Sequence, residues 1–355
     1  NGLGTYTTKV YNNSDILGTA TDATPYIGWF EEGSLILLNI DTPITDGSKR
    51  FVFTQWSGDA TGTSRPATVT MSTAKDITAN YKTQYQVTVT ASPSGALGGT
   101  FKVTYTQCGT TYTNVQKTTS WTDWADASTT VTVSEPQDII NGGSGTRYMF
   151  DHYDPSASVA MDQTKTITLV YTIQYYLTVN TNPAEVLTLN PAAVSGEGWY
   201  NSGDTATVDA VQNVDKISGQ SRYDFRSWTG ATPTGVGNKA TVFMDGPKTA
   251  TANYQLQYKI IFSQSGVGTD FTNTVVIIDS NNYNVGALPT PPFWWDDSTI
   301  HSFAFQSPLV VTANAKQYVW TSTTGLSTLK SGSITVSASG SITGNYKTQY
   351  YVTVS

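Results

Sequence analysis

Val69-Thr70-Met71 followed by Ile77-Thr78-Ala79-Asn80-Tyr81 is the stretch that decides how this sequence folds, because it returns three more times. Val159-Ala160-Met161 leads to Ile167 through Tyr171, Val242-Phe243-Met244 to Ala250 through Tyr254, and Ile334-Thr335-Val336 to Ile342 through Tyr346. In every copy the Met or Val stands ten residues before the Tyr. Self-similarity at fixed spacing marks a repeat architecture. Two alternating strands and a tight turn account for the gap, with Ser72-Thr73-Ala74-Lys75, Asp162-Gln163-Thr164-Lys165, Asp245-Gly246-Pro247-Lys248 and Ser337-Ala338-Ser339-Gly340 as turns, so each unit reads as a β-hairpin.

Working outward, each hairpin is preceded by an aromatic strand: Phe51 through Gly58, Tyr148 through Tyr153, Tyr223 through Gly230, and Tyr318-Val319-Trp320. Trp56, Tyr153, Trp228 and Trp320 are the expected plugs of four small cores. The other expected core residues are Met71, Met161, Met244 and Val336, with Tyr81, Tyr171, Tyr254 and Tyr346. After each terminal Tyr a new strand begins, such as Thr83-Gln84-Tyr85-Gln86-Val87-Thr88-Val89 or Ile173-Gln174-Tyr175-Tyr176-Leu177-Thr178-Val179. The spacing therefore predicts four modules, 1–82, 83–172, 173–255 and 256–347, and a terminal strand at 348–355, with one residue or so between modules and stiff joints.

Composition agrees. Only 13% of the 355 residues are charged, and no long stretch places apolar residues at helical spacing. Nine Trp, 21 Tyr and 12 Phe supply bulky apolar surface for several cores, which disfavours a disordered Ser/Thr-rich stalk. A net charge of −7 opposes binding to nucleic-acid phosphate. No apolar run nears the roughly 20 residues that cross a bilayer. The opening residues lack the pattern of a signal peptide, so the chain reads as mature or excised from something longer. Cys108 is the single cysteine, which excludes an internal disulfide and a thiolate metal cluster.

The combination F-x-x-W-x-G, V-x-M and A-N-Y-K-T-Q-Y-x-V-T-V resembles the tandem modules of large archaeal and bacterial surface proteins, related to the divergent internalin B-repeat group. The resemblance covers essentially the whole chain, with Tyr153 in place of Trp in module two, and neither the Met nor the Gly after Trp320 in module four. It implies an Ig-like or β-grasp-like sandwich and surface exposure, and no catalytic residue.

The ends of the chain depart from the pattern in a complementary way. The terminal tyrosines are 90, 83 and 92 residues apart, but module one has no Q-Y-x-V-T-V strand before Asn1-Gly2-Leu3-Gly4-Thr5-Tyr6. At the other end, Gln349, Tyr350, Tyr351, Val352, Thr353 and Val354 make such a strand with no module after it. Two readings follow. Separate subunits polymerise by donating this strand to module one of the next, or the 355 residues are one period of a longer polypeptide. Either gives a head-to-tail interface that propagates unless it closes a ring. The third reading is that the ends are arbitrary cuts of a multi-domain protein.

Candidate chemistry is sparse. His152 and His301 are the only histidines, and both read as ordinary strand or turn positions. Trp121-Thr122-Asp123-Trp124-Ala125-Asp126 and Phe293-Trp294-Trp295-Asp296-Asp297 set aromatics beside carboxylates, as do Gly28-Trp29-Phe30-Glu31-Glu32 and, in part, Gly198-Trp199-Tyr200. Recurrence in all four modules favours a structural role over sugar stacking or Ca²⁺ coordination. The sequence contains no G-x-S-x-G, H-E-x-x-H, phosphate loop or C-x-x-C. Asn12-Asn13-Ser14 is the sole N-glycosylation sequon.

The sequence thus predicts an all-β rod of four tandem sandwiches, each of about seven short strands, with no enzymatic activity, cofactor or metal. The expected role is that of a structural subunit or repeating unit of an extracellular filament, sheath or surface stalk, with itself as partner and with glycans or other cell surfaces as further candidate partners. The alternative is a carbohydrate- or host-binding adhesin, whose binding loops would be the module-two insertion from Cys108 to Trp124 and the module-four stretch from Pro289 to Pro292.

Overall fold

The computed structural model describes residues 8–12, 15–20 and 25–354. The chain divides into two compact units, Asn1–Gln174 and Tyr175–Ser355. Strands dominate both units; the only α-helix among the described residues is Glu185–Leu189. None of the helices is long and apolar enough to cross a membrane.

The second sandwich of the first unit is complete and sets the plan. One sheet runs in the order Ser158–Ala160, Thr130–Ser134, Thr100–Gln107, Thr110–Thr118. Facing it are five strands. Trp121–Asp126 lies antiparallel to residues 84–89, which belong to the long strand Ile77–Ser92. Residues 87–92 of that strand run parallel to residues 165–170, followed by Thr146–Asp154 and Ile139–Gly143. Alternate residues point inward as the two-residue period of a strand requires. Val87 and Val89, Phe101 and Val103, Val131 and Val133, and Ile167 and Leu169 close one apolar core with Met161.

The second unit repeats this plan twice. Its first sandwich sets Val194–Ser195, Thr205–Ala210, Ala240–Phe243 and Thr232–Pro233 against a sheet in which residues 177–182 and 248–253 run parallel, flanked by Ser221–Thr229 and Asn213–Ile217. Its second sets Asn281–Asn284, Thr274–Ile278, Ile300–Phe305 and Ser331–Thr335 against Phe293–Asp296, residues 257–265, residues 340–345, Lys316–Gly325 and Leu309–Thr312.

Four expectations need correction. The repeated stretch is not a hairpin: Ala67–Thr70 pairs with Leu35–Ile40, whereas Ile77–Ser92 pairs with Lys49–Gly58 in the facing sheet. The chain between Met71 and Ile77 therefore arches from one sheet to the other, and the ten-residue gap measures that crossing. Nor does a break separate one module from the next within a unit: Ile77–Ser92 and Lys248–Ser265 are single strands that end one sandwich and begin the following one. With shared strands, a complete sandwich sets four strands against five rather than about seven in all.

The fourth correction concerns Trp320. It pairs with Tyr346 as Phe53 pairs with Tyr81 and Phe225 with Tyr254, so it holds the Phe position of the motif. Thr323 holds the place of Trp56, accepts a hydrogen bond from the Trp320 indole at 3.1 Å, and is buried. The apparently missing glycine is Gly325, opposite Ile342 as Gly58 is opposite Ile77. Both have left-handed φ, 100° and 88°, and a Cβ there would meet a backbone carbonyl oxygen at 2.0 or 2.2 Å, which only glycine avoids.

The repeated polar and aromatic residues have local reasons. The terminal tyrosine hydroxyls donate to backbone carbonyls: Tyr171 to Gln137 at 3.0 Å, Tyr254 to Val211 at 2.8 Å and Tyr346 to Gln306 at 2.9 Å. The Trp56 and Trp228 indoles donate to the Ser64 and Asn238 carbonyls at 2.9 and 2.7 Å. A buried aromatic with its polar atom satisfied fills volume without a desolvation penalty.

Candidate assembly site

The first sandwich has one complete sheet, with Asp15–Ala20, Thr8–Asn12, Leu35–Ile40 and Ala67–Thr70 in order. Its facing sheet has only residues 77–85, Lys49–Gly58 and Ile44–Asp46. Two strands present in the complete sandwiches have no counterpart among the described residues: the first strand, and the antiparallel strand beside it.

The chain that would form the second of these is in place. Ser128, Gly203 and Ser298 each donate a backbone N–H to the Met or Val of their motif, namely Met161, Met244 and Val336, at 3.0, 2.8 and 2.8 Å. Gly33 does the same to Met71 at 2.7 Å. All four residues have left-handed φ between 62° and 90°. Counting two residues back equates Glu31 with Asp126 and Asp296, and Trp29 with Trp124 and Trp294. Trp121–Asp126 and Phe293–Asp296 are strands because the first strand of their module supplies hydrogen bonds. Residues 25–30 are in no strand, and the Trp29 side chain is fully exposed.

The absent strand leaves a groove of about 960 Å³, lined by Tyr26, Trp29, Phe30, Met71, Ile77 and Tyr81 among others. Its effect on the core is direct. Met161, Ile167, Leu169 and Tyr171 in the second sandwich, and Met244, Ala250, Ala252 and Tyr254 in the third, are buried. Their counterparts Met71, Ile77, Ala79 and Tyr81 are only half-buried.

The strands that fill this position elsewhere bury Val87 and Val89, Leu177 and Val179, and Ile260 and Phe262. The fourth member of the pattern, Val352 with Val354, is 79% and 90% exposed. Gln349 and Tyr350 end the strand Gly340–Tyr350, paired with Gln317 and Lys316, and Tyr351 donates its N–H to the Ala315 carbonyl at 3.0 Å. Beyond it, Val352, Thr353 and Val354 are exposed and outside any strand. The first unit thus holds an open groove, and the second unit holds an exposed segment, Val352–Val354, of the type that fills the equivalent positions.

At the internal joints a polar cluster fixes the register. Gln84 is buried, accepts from Arg50 Nε at 2.7 Å and donates to Asp126 at 2.6 Å, while Lys82 Nζ lies 2.8 Å from the same carboxylate. The Arg50 guanidinium covers the Trp124 ring at 4.8 Å. Burial by itself would raise the pKa of Asp126. The hydrogen bonds from Gln84, Lys82 and the Gly109 and Cys108 amides outweigh it and hold the carboxyl below its ordinary value. The second unit repeats the arrangement: Arg222 Nε donates to Gln257 at 3.0 Å, Gln257 donates to Asp296 at 2.9 Å, and Arg222 covers Trp294 at 4.3 Å. The arginines were not singled out from the sequence, although an Arg stands about 27 to 35 residues before the first three Q-Y pairs.

Of the other candidates, Trp56, Trp228, Val336 and Tyr346 are buried, whereas Tyr153 and Trp320 are half-buried against their cores. His152 is exposed beside Asp151 at 3.1 Å. His301 lies 2.6 Å from Asp279 and stacks on Trp295 with ring centroids 3.7 Å apart. No group of three or more His, Cys, Asp or Glu residues placed to hold a metal occurs among the described residues. Cys108 is exposed in the turn after Thr100–Gln107. The side chains of the sequon at Asn12 lie outside the described residues, as do residues 1–7 and Ser355.

No protein-family model matches the chain. No curated protein matches it either. Among solved structures it is similar to the TIE protein of Bacillus anthracis, at 10% identity and a TM-score of 0.23, over 96% of this chain and 66% of that one. It is also similar to domains 3–4 of the Streptococcal High Identity Repeats in Tandem from a cell surface protein, at 15% identity and 0.18, over 50% and 99%. A third likeness is to the pilus adhesin SpaC of Lactobacillus rhamnosus GG, at 10% and 0.22, over 83% and 46%. The chain thus spans just under two thirds of the first of these and under half of the third. At such scores the likenesses are weak, and the sandwich architecture rests on the strand pairing itself.

Proposed function

We propose that this chain is a structural element of an extracellular filament, sheath or surface stalk, assembled head to tail by strand complementation. Modules 1–82, 83–172, 173–255 and 256–347 are the building blocks, and the groove of module one takes up the strand Gln349–Val354 of a second copy. The observation that carries this reading is the half-buried state of Met71, Ile77, Ala79 and Tyr81, whose counterparts are buried by a first strand.

The energetics favour uptake. An exposed sheet edge offers unpaired backbone groups, and an apolar groove beside it offers a site for alternate side chains, the two requirements of strand addition. Burying Val352 and Val354 stabilises by roughly 1.5–3 kcal/mol each. The interface joins different surfaces of the two copies, so unless the rotation closes a ring it propagates into a filament. Low charge and the absence of a recognisable catalytic constellation fit a structural role.

The test is sedimentation of the full chain beside a Val352→Asp, Val354→Asp double variant, which charges the donor strand while leaving the pairing of Gly340–Tyr350 intact. The wild type should sediment as polymers and the variant as single copies with an unchanged circular dichroism spectrum. A wild type that stays monomeric at high concentration, or a variant that polymerises equally well, overturns the proposal. The mass under denaturing conditions then reports connectivity: 38.2 kDa for separate chains, a multiple of it for a continuous one.

A further inference from the structure

We propose that Glu31 receives Lys347 and Gln349 of a second copy, and that this polar contact sets the register of the donated strand; the inference rests on the strand uptake described above. Three observations carry it. Glu31 occupies the position of Asp126 and Asp296 by the hydrogen-bond count from Gly33, independently of any sequence likeness. At that position Asp126 accepts from Gln84 and Lys82, and Asp296 accepts from Gln257. Lys347 and Gln349 follow Tyr346 as Lys82 and Gln84 follow Tyr81.

All three groups are accessible, and the Gln349 amide N–H groups remain available although its carbonyl oxygen accepts from Gln317. Glu31, Lys347 and Gln349 are exposed, whereas Gln84, Gln257 and Asp126 are buried at their joints. Transferring the two observed registers to the new joint places Gln349 opposite Glu31, Tyr351 opposite Trp29 and Val352 opposite Gly28 on the antiparallel side. On the parallel side Val352 falls opposite Lys75 and Val354 opposite Ile77, as Val87 and Val89 lie opposite Lys165 and Ile167. A slip by one residue would turn the valines away from the groove, and a slip by two would separate Glu31 from the lysine.

The joint between copies also differs from the internal ones. Gln317 stands where Arg50 and Arg222 stand, and its amide donates to Gln349 at 2.9 Å. No arginine would cover Trp29, so the lysine–glutamate pair is the charged contact of this joint, and charge pairs at a rim chiefly select partner and register.

A zero-length carbodiimide, which joins a lysine amine to a carboxylate as an amide, reads this contact directly. Polymers grown from an equal mixture of ¹⁴N- and ¹⁵N-labelled chains should give a mixed-isotope peptide linking Lys347 to Glu31. Glu31→Lys or Lys347→Glu should each raise the concentration needed for polymerisation about tenfold, and the chain carrying both should recover. Polymers that form with the linkage elsewhere, or whose double variant does not recover, overturn the register and leave strand uptake standing. Absence of polymers overturns both.

Discussion

Val89 lies directly opposite Ile167 on a parallel ladder, and both side chains are completely buried. Ile77 holds the place of Ile167 in the first sandwich, where no strand lies opposite it among the described residues and its side chain is half-buried. One pair of positions thus separates a finished core from an unfinished one.

Removing the side chains at these two places should have unequal effects. Ile167→Ala leaves a cavity in a closed core and should cost about 2–4 kcal/mol, whereas Ile77→Ala in the single copy should cost about 1 kcal/mol. Segment-resolved hydrogen exchange of the monomer checks this, since the two sandwiches can be read separately. In polymers the Ile77 cost should rise towards that of Ile167.

Arg50 should be sensitive even to a conservative change. Its guanidinium donates to Gln84 and covers the Trp124 ring, two contacts that a lysine cannot make together. Arg50→Lys should destabilise the Trp121–Asp126 strand by roughly 1–2 kcal/mol. Loss of exchange protection confined to that strand and its partner residues 84–89 is the expected readout.

Gly58 sits at φ 88°, and a Cβ there would meet the Asp76 carbonyl oxygen at 2.2 Å. Gly58→Ala should therefore destabilise the first sandwich by at least about 2 kcal/mol. Gly47, also at positive φ but with nothing near its Cβ position, should suffer only the smaller backbone cost on replacement by Ala. Parallel urea titrations of the two variants measure the difference.

Asp126 makes the first unit sensitive to acid. Its folded pKa is depressed below the ordinary 3.8, so its contribution is fully present above that value and is lost as the pH falls through the lower folded value. Exchange protection at residues 84–89 and 121–126 should fall below about pH 4. In Asp126→Asn that acid-dependent loss should shrink, with the whole segment less protected at neutral pH because Lys82 has lost its partner.

Much of this protein is decided locally, and the sequence reports it. A two-residue apolar period, a Met or Val ten residues before a Tyr, and aromatic strands between them specify four β-sandwiches, because each residue's inward or outward direction follows from its place along its own strand.

Pairing is not local, and there the tertiary structure decides. Whether two neighbouring strands form a hairpin or arch between sheets depends on which edges are free when they meet, so the stretch from Val69 to Tyr81 reads as the wrong motif. Trp320 takes the Phe position for a similar reason: it stands 26 residues before Tyr346, as Trp228 stands before Tyr254, yet the ladder sets it directly opposite Tyr346, where the other sandwiches place Phe53 and Phe225. The Arg50–Gln84–Asp126 cluster joins residues far apart in sequence, each unremarkable where it stands. Glu31 likewise gains meaning only from the backbone hydrogen bond of Gly33 to Met71, which puts it where two of the other modules place Asp126 and Asp296 and the third places Asn201.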